Sequence, residues 1–218
     1  MNIACADWRH LVYLNYAVDA EAARAVLPSG IEPDLLNGVA YVCWVGKLVE
    51  KVRVLGIRLP EHQHYAHLSA HLCVKQNGGA GIFRLATWVP QPLTAKWFAQ
   101  EAITVGPTHF RMHFEEGGRD MHGRPYSNGV VEYEAPDIRI RVRTTGLPVP
   151  ISLDPDDAFF LERKLLAGPG KSRRIDFPPF FLWDGELLEA RLPALPLPLP
   201  PTPESVRIAK GNSVIWKG

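Results

Sequence analysis

An excess of charge is the first thing this chain lacks. Its 24 Lys and Arg against 23 Asp and Glu leave a formal net charge of +1. That balance argues against a dedicated nucleic-acid binder and gives no reason to expect an anionic membrane surface as partner. Cysteine is scarce as well. Cys5, Cys43 and Cys73 are odd in number and widely spaced. Neither a disulfide framework nor a C-x-x-C metal site is expected, and a reducing cytoplasm suits this usage best. No apolar run is long enough to span a membrane. The first ten residues lack a basic stretch followed by an apolar one, so no signal peptide is expected. No G-x-G-x-x-G opens a helix, and neither a G-x-x-x-x-G-K-[ST] phosphate loop nor a G-x-S-x-G nucleophile elbow occurs. With no internal repeat and no linker-like segment, the 218 residues read as a single domain over 1–218.

What is present is clearest between Tyr65 and Val74. Ala66, Leu68, Ala70, Leu72 and Val74 alternate with Tyr65, His67, Ser69, His71 and Cys73. A period of two predicts a β-strand with one hydrocarbon face and one polar, titratable face. Two readings of the polar face stand side by side. It lines a pocket for a small molecule, joined by Arg84 on the returning strand, or it is a half-buried face whose histidines are merely hydrogen-bonded.

Further strands are predicted over residues 10–18, 38–54, 82–89, 108–114, 128–135, 138–145, 205–209 and 213–216. Asn77-Gly78-Gly79 marks a tight turn, and Ala135-Pro136-Asp137 another. Glu132 and Glu134 should face Arg139, Arg141 and Arg143 across that second hairpin. Asp19 caps a short helix over 20–26, and 92–102 is a second helix candidate. Asp154-Pro155-Asp156-Asp157 carries a cap, a first-position proline and an acidic first turn, predicting a helix to about Ala167 with Arg163 off its buried stripe. The leucine–proline alternation of 193–203 must be extended, either as a stiff connector or as a docking peptide. The fold class is α+β, mainly antiparallel β, curled into a barrel with a few helices.

Two candidate chemistries follow from side-chain type. Lys96, between Ala95 and Trp97-Phe98, is a nucleophile if those aromatics desolvate it, and an ordinary surface lysine if they do not. The eight histidines invite a metal. Strand residues four apart stand about 13 Å apart, however, so His67 and His71 cannot share an ion unaided. No metal and no cofactor are expected.

Several features together resemble a known family. These are Trp8, the Asp19 helix ending in Leu27-Pro28-Ser29-Gly30-Ile31, and the Asp34-x-x-x-Gly38-x-Ala40-Tyr41-Val42 run. The 67–74 strand then leads to Gly81-Ile82-Phe83, and Phe160-Leu161-x-Arg163 follows late in the chain. The pattern is similar to the uncharacterised YqjF-like proteins, a domain-of-unknown-function family grouped with the acetoacetate decarboxylase-like superfamily. The resemblance implies a cone-shaped antiparallel β-barrel with a small-molecule cavity, and lyase or aldol-type chemistry on a carbonyl or carboxylate if the protein is an enzyme. A ligand-binding or sensing protein without catalysis is the alternative, and an interaction module using 193–203 a third. Lys96 lies in the region of the superfamily's imine-forming lysine, but Trp97 stands where those enzymes pair a second lysine. The family strand reads Glu-x-Asn-x-Arg-x-Tyr. His67, Ser69, His71 and Cys73 replace all four, turning a charged lining into one that is neutral or titrates at about pH 6.5. The expected partner is a small molecule, and self-association into a homo-oligomer stays open.

Overall fold

The computed structural model describes residues 2–92, 94–95, 102–115, 129–150, 154–169, 172–178 and 181–217. In chain order the strands are β1 (Asn2–Val18), β2 (Ile31–Pro33), β3 (Ala40–Val54), β4 (Ile57–Arg58), β5 (His64–Gln76), β6 (Gly79–Val89) and β7 (Ala102–Pro107). They continue as β8 (Arg111–Glu115), β9 (Val130–Ala135), β10 (Ile138–Pro150), β11 (Leu165–Ala167), β12 (Arg173–Asp176), β13 (Phe181–Arg191) and β14 (Ser205–Lys217). Helix α1 (Ala20–Ala25) follows β1, and α2 (Pro155–Leu161) precedes β11.

Seven strands close on themselves in the order β1-β3-β5-β6-β11-β12-β14, and β14 returns to β1. Every pairing in this ring is antiparallel except β6 with β11. β14 forks. Its end at 215–217 pairs with β12, whereas 207–209 pairs with β13. From β13 the sheet runs on through β10 and β9 to β8 as a second layer. Strand alternation then sorts the side chains. Val42, Trp44, Leu68, Ala70 and Leu72 point out of the barrel and pack with Tyr133, Ile138, Ile140 and Val142 of the second layer. Gly46 sits at this seam, and a Cβ there would lie 2.9 Å from the Tyr133 ring.

The predicted turn at Asn77-Gly78 forms, with φ of 51° and 76°, which the Asn-Gly pair accommodates. The hairpin charges pair in part as expected, with Arg143 turning instead to Glu186 of β13. Arg139 meets Glu132 at 2.7 Å, and Arg141 lies 3.7 Å from the same carboxylate. The leucine–proline segment is a connector laid on the core: Leu197 is buried, with Leu195 and Leu199 partly so. The two expected terminal strands are one, β14, which passes through Gly211 at φ +114° without losing its register against β1. A Cβ on Gly211 would collide with the Trp8 carbonyl, so no other residue fits there.

One expectation needs correcting. The helix capped by Asp154 runs only to Leu161, and Leu165 to Ala167 form a strand. A short apolar run such as Leu165-Leu166 fits a helical stripe and a buried strand equally well. The tertiary demand decides, because β11 is the strand that joins β6 to β12 and closes the ring. Gly81 permits that closure, since a Cβ there would stand 2.6 Å from the Leu165 carbonyl oxygen. The cap itself is as predicted, with Asp154 accepting from the Asp156 and Asp157 amides. Asp154→Ala should therefore cost about 1 kcal/mol. Leu161→Ala should cost at least about 2 kcal/mol, because Leu161 plugs one end of the barrel among Tyr13, Tyr41 and Leu182. Urea melts of the two variants check that order.

Candidate functional site

The barrel interior has two halves. In one, Leu11, Tyr13, Tyr41, Cys43, Val45 and Cys73 pack against Leu161. In the other, the side chains stand back around a cavity of about 100 Å³. β3 alternates inward through Val45, Lys47 and Val49, and β5 through Tyr65, His67, Ser69 and His71. On β6 a bulge intervenes. Ala70 pairs with Ala86 but His71 pairs with Arg84, so Leu85 is the extra residue. Leu85 and Ala86 both turn outward, leaving Arg84 and Thr87 on the inner side.

Lys47 is the centre of the arrangement. It is 3% exposed and lies directly opposite His67 in the β3–β5 ladder. Its Nζ stands 4.3 Å from the centroid of the Trp8 ring. Among the described residues it makes no ion pair, and the cavity lining contains no Asp or Glu. It contains instead Lys47, Arg84, Arg173, His62, His67 and His71. Burial, and then the Arg84 guanidinium, push the Lys47 ammonium down to about 7. Burial also takes His67 and His71 well below the usual histidine range, reinforced by Lys47 and Arg84, so both rings are neutral at pH 7. His71 Nε2, Ser69 Oγ and Thr87 Oγ1 are buried on this inner face with no hydrogen-bond partner among the described residues. Buried polar atoms are normally satisfied, so these point to a polar guest. At the rim, His62 Nε2 contacts Thr94 Oγ1, tying the turn at 60–62 to the segment after β6.

Of the residues expected from sequence, Tyr65, His67, His71 and Arg84 meet at this cavity. Ser69 and Cys73 share their face but sit deeper, and Cys73 Sγ lies 3.7 Å from Cys43 Sγ. Lys96 falls outside the described residues. Lys47 is the residue that sequence reasoning missed. Its signal was a lone cation within residues 40–49, a run of ten buried positions. His113 of β8 lies in the second layer, away from the cavity, where it pairs with Glu115. Among the described residues no three metal-binding side chains gather.

A closed seven-stranded β-barrel with a second antiparallel layer packed on it defines the class: an acetoacetate decarboxylase-like fold. The chain belongs to the DUF2071 family of uncharacterized conserved proteins (COG2071), whose pattern matches residues 5–174. No curated protein matches it. Among solved structures, an acetoacetate decarboxylase-like enzyme from Sphingomonas wittichii RW1 is similar at 12% identity with a TM-score of 0.59. That match covers 98% of this chain and 91% of the other. Acetoacetate decarboxylase from Legionella pneumophila is similar at 13% identity and a TM-score of 0.59, covering 98% and 84%. The enduracididine biosynthesis enzyme MppR, complexed with pyruvate, is similar at 13% identity and a TM-score of 0.54, covering 100% and 90%. At these identities the likeness is one of fold.

Proposed function

We propose that the protein binds a small oxo acid in the barrel cavity and that Lys47 is the amine that engages its carbonyl. One observation carries the reading: a fully buried lysine that, among the described residues, has no counter-ion and faces a cavity lined by cations and imidazoles but no carboxylate. The size supports a short molecule. A cavity of 150 Å³ accommodates benzene, and this one, at about 100 Å³, suits a short-chain guest rather than a long one. The lining is positively charged through Arg84 and Arg173, the sign that suits a carboxylate guest. At neutral pH much of the Lys47 population is the free amine. Its nitrogen adds to the carbonyl carbon, and the carbonyl oxygen leaves as water with the two amine protons. The resulting imine draws electrons from the adjacent carbon, which is what a decarboxylation or an aldol-type step requires. His71, with Nε2 unpartnered on this face, is placed to hydrogen-bond the guest or carry a proton.

Borohydride trapping with pyruvate and with acetoacetate, read by intact mass and peptide mapping, tests the reading. The expected result is one adduct on Lys47, absent in Lys47→Ala and retained in Lys96→Ala. Binding of these acids without any adduct favours the alternative, a sensing or carrier protein. An adduct confined to Lys96 moves the nucleophile to that residue.

A further inference from the structure

Two cross-strand pairs, each joining a histidine of β5 to a cation on a neighbouring strand, form the core of the cavity's polar lining. Lys47 is the cross-strand partner of His67, and Arg84 that of His71. Directly opposed side chains on one face of an antiparallel pair stand about 4.5–5.5 Å apart at Cβ, so position 67 is the cross-strand neighbour that β5 offers to the Lys47 stem. A carboxylate there would hold the amine as an ammonium and block its lone pair. An imidazole starved of water stays neutral instead. Among the described residues, the other groups around the cavity give no substitute for a counter-ion. Tyr65 and His71 come from β5, Arg84 from β6, Arg173 from β12, His62 from the turn before β5 and Trp8 from β1. All are neutral or cationic, and burial pushes the Tyr65 hydroxyl up to about 12.

We infer that His67 is the positioning residue that keeps Lys47 available as a free amine, by occupying with a neutral ring the position directly across the β3–β5 ladder, where a carboxylate would pair with the ammonium. Trp8 complements it. The indole covers the Nζ without accepting a proton or carrying a charge. The cavity's anion must then come from the guest, so an occupied site and an empty one differ in the charge around Lys47. This inference rests on the reading of Lys47 as the reactive amine, but it concerns the amine's protonation alone and not the identity of the guest.

The test follows Lys47 with a reagent that needs no recognition. Reductive methylation by formaldehyde and cyanoborohydride, quantified on the Lys47 peptide across pH 5.5 to 11, reports the fraction of free amine. In the wild-type protein the midpoint should fall near 7. His67→Gln, neutral and similar in reach, should leave it within about half a pH unit. His67→Glu should raise it by one to three units, lowering methylation at pH 7 by about 10-fold or more. An unshifted midpoint in folded His67→Glu overturns the inference, as does a shift of a unit or more in His67→Gln. Should His67→Glu fail to fold, His67→Asp takes its place. A wild-type midpoint near that of free lysine overturns the inference without any variant. The two proposals fail differently: ready methylation of Lys47 with no adduct from pyruvate or acetoacetate removes the oxo acid and leaves the role of His67 intact.

Discussion

Urea melts will show the protein gaining stability as the pH is raised from 7 towards 10, and Lys47→Met will abolish that gain. The ordinary lysine value is 10.5, and in the fold Lys47 is held down to about 7. Between those limits the unfolded chain carries a proton that the native state does not. Unfolding then takes up a proton, and stability rises with pH. Each unit is worth about 1.4 kcal/mol, so the full window amounts to roughly 5 kcal/mol, an order-of-magnitude figure. Below about pH 7 both states are protonated, and the full cost of burying the ammonium is present and constant. Above about pH 10 the tyrosines work in the opposite sense. Burial pushes Tyr16, Tyr41 and Tyr65 up to about 12, so the native state keeps protons that the unfolded chain loses, and stability falls again. On the acid side His67 and His71 are neutral in the fold and protonate on unfolding, so stability also drops as the pH falls through about 6.5. Parallel curves for wild type and Lys47→Met from pH 7.5 to 9.5 would mean that the amine is solvated.

Arg163→Met should destabilise the protein by about 3–5 kcal/mol, the range for leaving a buried partner charge alone. Its Nη1 donates to Asp34 Oδ2 at 2.9 Å and to the Gly81 carbonyl at 3.2 Å, and its Nε to the Phe159 carbonyl at 2.6 Å. The guanidinium also lies over the Phe159 ring, 3.9 Å from its centroid. One side chain thus ties the loop after β2, the start of β6 and the end of α2, at the place where β11 enters the ring. Lys75 reaches the other oxygen of Asp34 at 2.9 Å but is itself exposed, and cannot replace the buried cation. Asp34→Asn, which keeps the shape and removes the charge, should cost less than Arg163→Met in chemical denaturation. A loss under about 1 kcal/mol for Arg163→Met would show that this junction does not hold the barrel shut.

The Arg163–Asp34 pair also shows what kinds of information the chain carries in one dimension. Both residues stood in the motifs that marked the family resemblance, 129 positions apart. Their chemistry was legible, but their contact was not, because no local periodicity links a loop after β2 to the end of α2. The late helix erred for a related reason. Its cap is written in four adjacent residues, whereas its end is set by a hydrogen-bond partner on β6 that lies some eighty positions earlier.

By itself the sequence determined what depends on neighbours along the chain. It specified the strands by their period of two, the Asn77-Gly78 turn by its tolerance of positive φ, the caps of both helices by their carboxylates, and the polar face of β5 by alternation. Alternation says that a strand has two faces. It does not say which face a closed ring will turn inward, nor what stands opposite. Those were decided by the registers of β3 and β6 against β5 and by the single extra residue at Leu85, which together set Lys47 across from His67 and Arg84 across from His71. The site is therefore a property of strand pairing: cations and imidazoles from separate strands, brought out of water to a cavity that no carboxylate lines among the described residues.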